Sequence, residues 1–209
     1  MAFKSNTIQQ IDLDRAEDVR NVTLEVKKGK GITELSISKI FCDPTGRHVI
    51  IGTHQGENYY LHEGWSKARL LPKCKLVIES VAWNPTPPSK SSSVSAYHRT
   101  STREILLGGR NGTIYEMLLD AHDDIFKTPD RYVSPIYTFA DRHPITGLHA
   151  EYMASNASAA PSENRRLVVL ATSATRIYQF LGTVERKPDD VGKLYDPVFA
   201  SYRDVAPSK

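Results

Sequence analysis

One strand–turn–strand phrase occurs three times in this chain, and its repetition restricts the possible folds more than any other feature. Each copy has an apolar run that ends at a small residue, then a turn, then a second run that carries a tyrosine. Glycine tolerates the positive φ of a tight turn, so the copies are predicted to be β-hairpins. The aligned small residues are Gly52, Gly108 and Ala171, the turn residues are Gly56, Gly112 and Thr175, and the tyrosines are Tyr59, Tyr115 and Tyr178.

Further strands flank these hairpins. Segments 37–42, 78–83 and 145–150 precede them, and segments 68–76 and 132–139 follow the first two, each with a proline that marks an edge strand. A repeated hairpin cannot bury its apolar faces alone and must stack against copies of itself, as in a β-propeller. Four antiparallel strands per unit are typical of a propeller blade, whose first strand lies nearest the axis.

The predicted fold is all-β, a partial β-propeller of about three four-stranded antiparallel blades plus fragments. This is fewer than the roughly 4–8 blades of a closed ring, which indicates a piece of a larger propeller or a truncated gene product. We expect one domain over 1–209, with a blade remnant at 1–27, blades at 35–76 and 78–139, an incomplete blade at 144–181 and a tail at 182–209. A Ser/Pro-rich insertion at 86–103 is predicted to be a surface loop.

Composition restricts the partners and the compartment. The net charge of +3 is small and evenly scattered, which argues against nucleic acid as a partner. Cys42 and Cys74 lie on different predicted strands without metal-ligand spacing and are expected to be buried thiols in a reducing compartment. The chain shows no signal peptide and no apolar run of the roughly 20 residues that a membrane helix needs.

No motif for catalysis, a cofactor or a metal stands out. The seven histidines lack ligand spacing, and the aligned first strands offer only Ser38, Glu79 and Thr146 for an enzyme cleft, which form no catalytic set. Trp83 and the aligned tyrosines are predicted to be core residues between blades. Arg165 and Arg166, placed ahead of a strand, offer one alternative function, a propeller that binds phosphoinositide headgroups.

Several of these segments resemble one family. They are 50–62, 78–85, 101–108, 112–116 and 144–148. The phrases Gly-Glu-Asn-Tyr-Tyr-Leu at 56–61 and Glu-Ser-Val-Ala-Trp-Asn-Pro at 79–85 are the most specific. Together they resemble the N-terminal propeller of the deep orange family of vacuolar protein sorting proteins, and the insertions at 86–98 and 151–162 suggest a fungal type.

The resemblance implies a scaffold that is not an enzyme. Members of this family are class C subunits of the HOPS and CORVET tethering complexes, which dock endosomal and vacuolar membranes before SNARE-driven fusion. It implies as partners the other class C subunits and, through the complex, Rab GTPases and SNAREs. The implied location is cytoplasmic and peripheral to the late endosome or vacuole. Family members continue into a helical solenoid and a zinc RING domain, which this chain is expected to lack.

Overall fold

The computed structural model describes residues 7–12, 14–15, 17–25, 35–84, 101–119, 132–153, 164–185 and 194–203. The chain divides into two compact units, Met1–Ile78 and Glu79–Lys209. Strands dominate both units, which confirms the all-β prediction.

The first unit contains one six-stranded sheet. Its strands are β1 (Thr7–Ile11), β2 (Val19–Leu24), β3 (Ile37–Cys42), β4 (His48–Thr53), β5 (Asn58–His62) and β6 (Lys67–Leu70). They are ordered β1-β2-β6-β5-β4-β3, and β3 to β6 form an antiparallel meander. Gly56 lies at φ 78° in the turn between β4 and β5, a conformation that residues with a Cβ rarely adopt.

Strand β6 differs from the prediction in its role. We expected an edge strand over 68–76, but β6 ends at Leu70, and β2 pairs with it in parallel through Thr23 opposite Lys67 and Leu24 opposite Ala68. Pro72, the residue that suggested an edge, lies beyond the strand end. The β1–β2 hairpin therefore covers the side of the meander that would otherwise be open.

The core of the first unit lies between this hairpin and the meander. Its members are buried aliphatic and aromatic side chains contributed by β1, β2, β4, β5 and β6, because strand positions alternate between a buried and an exposed face. They are Ile8, Val22, Leu24, Ile51, Tyr59, Leu61 and Ala68. Cys74 is buried as predicted, but Cys42 is exposed at the end of β3, so the prediction that both thiols are buried is wrong for Cys42.

The second unit begins with a four-stranded sheet. Its strands are β7 (Ile78–Asn84), β8 (Ser101–Gly109), β9 (Thr113–Met117) and β10 (Val133–Thr138), ordered β10-β9-β8-β7. Strand β8 begins at Ser101, so residues 101–103 belong to a strand, and the predicted loop 86–103 extends too far. Residues 85–100 lie outside the described part.

A three-stranded sheet and a helix follow. The sheet is ordered β11 (Gly147–Tyr152), β12 (Asn164–Thr172) and β13 (Ile177–Glu185), and all its pairings are antiparallel. Helix α1 spans Asp196–Arg203. The prediction of a loop or tail over 182–209 is therefore wrong for 182–185, which belong to β13, and for 196–203, which form the helix.

Helix α1 packs against β13 through the core of this unit. Tyr195, Val198, Phe199 and Tyr202 recur at the helical spacing of one face, and the first three are buried. A Cβ built on Gly182 would lie 2.6 Å from the Cα of Val198, so the absence of a side chain there allows the helix to approach the strand.

Two positions predicted as core residues are only half-buried. Trp83 and Tyr115 lie beside the buried residues Ala82 and Ile114 on β7 and β9. Neighbouring positions of a strand face opposite sides of the sheet, and on β7 the more deeply buried face carries Ala82 and not Trp83. On β9 both faces are buried, and Tyr115 is the half-buried position between them. Both residues are less exposed than surface positions without being fully buried, and their placement between blades stays a prediction.

Candidate interaction surface

A groove of about 630 Å³ opens beside the edge strand β10 of the second unit. Three separate stretches of the chain form it: β10 with the residues that follow it, the start of β13, and helix α1. We call it the β10 groove, and its lining residues are Pro135, Ile136, Tyr137, Thr138, Phe139, Ala140, Asp141, Arg176, Tyr178 and Tyr202.

An aromatic cluster supports the floor of this groove. Phe139, Phe180 and Phe199 are buried, with 7%, 3% and 0% exposure. The half-buried ring of Tyr137 packs on all three, with centroid distances of 5.0, 5.1 and 5.6 Å. Burial and the nearby Tyr178 raise the pKa of Tyr137, so its hydroxyl keeps its proton and remains a hydrogen-bond donor.

Polar atoms lie at the rim. The ring of Tyr178 contacts Phe139 at 4.2 Å, and the ring of Tyr202 lies 5.0 Å from Phe180. Arg176 and Asp141 form an ion pair at 3.3 Å that is largely exposed. An apolar floor with a few polar groups at the rim is the usual composition of a binding pocket.

The backbone of β10 restricts what can enter. Its register with β9 shifts between Pro135 and Tyr137, which marks a β-bulge. The Leu118 N–H donates to the Tyr132 carbonyl, so the backbone groups of Tyr132 face β9. Because successive residues of a strand direct their backbone groups to alternate sides, those of Pro135 face the outer edge of the sheet. A proline there offers no N–H donor to an added strand.

The structure places the aligned repeat residues in different surroundings. Tyr59 is 2% exposed and belongs to the core of the first unit, whereas Tyr178 lines the β10 groove. Gly108 is tightly enclosed, because a Cβ there would lie 2.8 Å from the carbonyl oxygen of Ile145. Ala171 is fully buried, and Gly52 lies in the buried part of β4. The repeat therefore defines strands and turns rather than a shared site.

The two arginines considered for lipid binding lie within a strand and not ahead of it. Arg165 and Arg166 are near the start of β12, and Arg166 is exposed. The side chain of Arg165 lies outside the described part. Consecutive strand positions belong to opposite faces of a sheet, an arrangement unsuited to gripping one headgroup with both residues.

A second cluster lies in the first unit and was not predicted from the sequence. His48 and His62 are cross-strand partners on β4 and β5, with ring centroids 4.9 Å apart. The hydroxyl of Tyr60 lies 2.7 Å from Nδ1 of His48, and Trp65 packs on Tyr60. Burial lowers the pKa of His48, which favours its neutral form. Knowledge of the β4–β5 register would have revealed this pairing.

One buried carboxylate links helix α1 to the four-stranded sheet. Glu116 on β9 is 2% exposed, and its Oε1 accepts the backbone N–H of Leu194 at 3.0 Å. Burial raises the pKa of Glu116 to about 7, and the charge of Glu104 adds to the shift. The side chain therefore fixes the segment that leads into α1.

Within the described ranges, no group of three or more His, Cys, Asp or Glu side chains could hold a metal ion. The described part of the chain also contains no helix long and apolar enough to cross a membrane.

Comparison with known families decides the classification. A family model described as the Pep3/Vps18/deep orange beta-propeller domain matches residues 1–209. The chain belongs to this family. The β-propeller predicted from the repeated hairpins is thereby confirmed, as is the resemblance on which the family prediction rested.

Three curated relatives carry matching names. The chain is 32% identical over 178 residues to vacuolar sorting protein 18 of Arabidopsis thaliana, covering 83% of the chain and 15% of the relative. It is 26% identical to the vacuolar protein sorting-associated protein 18 homolog of Danio rerio, and this match covers 100% of the chain and 19% of the relative. Vacuolar membrane protein pep3 of Schizosaccharomyces pombe is 26% identical, and this match covers 66% of the chain and 14% of the relative. The chain thus spans less than a fifth of each relative, and the fungal type remains a prediction.

Proposed function

We propose that this chain is a non-enzymatic interaction domain of a vacuolar sorting subunit that acts in membrane tethering. The observation that carries the proposal is the match of the Pep3/Vps18/deep orange model to residues 1–209, together with relatives named for vacuolar sorting. The β10 groove supports it, because tyrosine-rich surfaces with an apolar floor are common in protein interfaces.

We extend the proposal to the assemblies that the family resemblance implied. The chain acts within HOPS or CORVET complexes, contacts other class C subunits, and reaches Rab GTPases and SNAREs through them. Its location is cytoplasmic and peripheral to the late endosome or vacuole. The buried titratable side chain of Glu116 has a structural role, since it accepts a hydrogen bond from the segment before α1. This use of a buried carboxylate fits a scaffold.

Affinity purification from cell extract tests the proposal. The full-length protein that contains this chain should recover the other class C subunits. The chain alone should recover fewer of them, since the family resemblance implies assembly through the solenoid. Failure of the full-length protein to recover these subunits would refute the tethering role. Equal recovery by the chain alone would show that assembly does not need the solenoid.

Lipid recognition through Arg165 and Arg166 is the alternative. Its support is limited to the exposure of Arg166, and the strand positions of the two residues argue against a joint grip. Flotation with phosphoinositide-containing liposomes distinguishes the alternatives, with Arg165→Glu and Arg166→Glu together as the charge-reversed variant. If protein partners recruit the chain, the wild type and the charge-reversed variant should both bind the liposomes weakly and to the same extent. If the chain binds lipid through these arginines, only the wild type should float with the liposomes.

A further inference from the structure

Three tyrosines line the β10 groove beside the buried phenylalanine rings. Tyr137, Tyr178 and Tyr202 are half-buried, so part of each ring faces the opening. The Tyr202 hydroxyl already accepts the backbone N–H of Leu181 at 3.1 Å, which leaves its own proton available to donate. A ligand that offers carbonyl acceptors and compact apolar groups is complementary to such a surface.

Charge complementarity points to an uncharged ligand. Arg176 and Asp141 are the charged residues that line the groove, and they neutralise each other at 3.3 Å. A strongly acidic or basic segment would have to break this ion pair. Because the pair is exposed and its charges cancel, it attracts a charged segment only weakly. The groove therefore favours a neutral segment.

The edge of β10 disfavours a ligand in strand conformation. Pro135 removes an outward N–H, and the bulge between Pro135 and Tyr137 interrupts the regular spacing of the ladder. Both devices protect edge strands against pairing with another chain. A ligand for this groove must therefore be recognised mainly through side-chain contacts and its own carbonyl groups.

We infer that the β10 groove binds an uncharged, proline-rich segment in the polyproline II conformation. Such a segment has no internal hydrogen bonds and exposes its carbonyls, and aromatic-lined grooves recognise it by ring packing and hydroxyl donation. The groove volume of about 630 Å³ falls within the usual range for ligand sites. The inference names a partner class for the proposed interaction domain and rests on that function.

Fluorescence anisotropy with a labelled oligoproline of about eight residues, which is polyproline II in solution, tests the inference. We expect saturable binding to the chain, and no binding of a Gly-Ser peptide of equal length. Tyr178→Ala should weaken oligoproline binding about tenfold or more, in line with loss of a central aromatic contact. Tyr178→Phe, which keeps the ring packing, should weaken it less and serves as a variant with little risk to folding.

Ile177→Ala is the matched control. Ile177 precedes Tyr178 on β13, is 77% exposed and does not line the groove, so its removal should leave binding unchanged. Equal binding by Tyr178→Ala and Ile177→Ala, or no binding of oligoproline at about 1 mM, would overturn the inference. Stronger binding of a Val/Thr-rich peptide that adds as a strand would do the same. Recovery of class C subunits by the full-length protein does not depend on these outcomes, so the two proposals fail separately.

Discussion

The backbone N–H of Leu181 on β13 donates a hydrogen bond to the phenol oxygen of Tyr202 on helix α1, at 3.1 Å. This N–H points away from β12, toward the outer edge of the three-stranded sheet. Native proteins protect such edges by covering them with a helix or loop. The pairing of Leu181 and Tyr202 shows that α1 has this role on β13.

Removing the Tyr202 hydroxyl should weaken the packing of helix α1 over the edge of β13. Tyr202→Phe leaves the Leu181 N–H without its acceptor, so we expect a loss of about 1 kcal/mol in the free energy of unfolding. Native-state hydrogen exchange should show faster exchange of the Leu181 amide than in the wild type. Unchanged exchange at Leu181 would contradict the edge-covering role of α1.

Enlarging Gly182 should displace the helix itself. The added methyl of Gly182→Ala would lie 2.6 Å from the Cα of Val198, and overpacking of this kind costs about 1–3 kcal/mol. Urea unfolding measures the loss. Thr183→Ala, at the neighbouring exposed position, is the control and should change stability by less than about 0.5 kcal/mol. Similar midpoints for both variants would show that α1 does not need this close approach.

Two glycines with the same backbone conformation separate strain from crowding. Gly46 and Gly112 lie at φ 72° and 73°, but a Cβ on Gly46 meets nothing within 4 Å, whereas one on Gly112 collides with the backbone of Arg142. Gly46→Ala should cost about 1–2 kcal/mol from the left-handed conformation alone. Gly112→Ala should cost clearly more in the same thermal unfolding assay. Equal losses would indicate that the segment around Arg142 moves without penalty.

Glu116 should make stability depend on pH in a defined direction. Burial raises its pKa from the ordinary value of 4.5 to about 7, so between these values the folded chain keeps a proton that the unfolded chain releases. The contribution of the protonated Glu116 to folding stability is complete below the unfolded pKa of 4.5 and is lost as the pH rises through about 7. Glu116→Gln should therefore raise the melting temperature relative to wild type at about pH 8 and change it little at about pH 4.

A surface carboxylate provides the comparison for Glu116. The side chain of Glu151 is 72% exposed, and Glu151→Gln should reproduce the wild-type dependence of melting temperature on pH. A Glu116→Gln variant that is equally stabilised at both pH values would show that the effect is not the titration of this group. If Glu116→Gln is instead destabilised at high pH, the hydrogen bond from Leu194 to the wild-type carboxylate outweighs the cost of burying its charge.

Local patterns predicted the strands, and long-range contacts account for what they missed. The hairpins appear in the sequence because a buried strand, a glycine turn and a second strand are all local signals. The parallel pairing of β2 with β6 joins Thr23 to Lys67, and no local pattern encodes a contact over that separation. The β10 groove was missed for the same reason, since its residues come from three distant stretches.

Helix α1 was missed although its signal is local. Tyr195, Val198, Phe199 and Tyr202 follow helical spacing, and Asp196 with Pro197 is a typical helix start. The strand repeat ends before this segment and therefore predicts a tail there. The half-burial of Trp83 has a different cause: the repeat predicts which residues align, but only packing decides which face of β7 is the more deeply buried.

The pairing of β2 with β6 also has a consequence for the order of folding. The β3–β6 meander forms from neighbouring hairpins, whereas β2 can join β6 only after a long loop has closed, and such contacts form late. Two residue pairs join the strands, and the Glu25 amide donates to the Ala68 carbonyl. The Leu70 amide donates to the Glu25 carboxylate, and the Arg20 guanidinium donates to the Gly64 carbonyl. The β1–β2 hairpin is thus the last part of the first unit to dock, and its side chains Ile8, Val22 and Leu24 become buried only at that step.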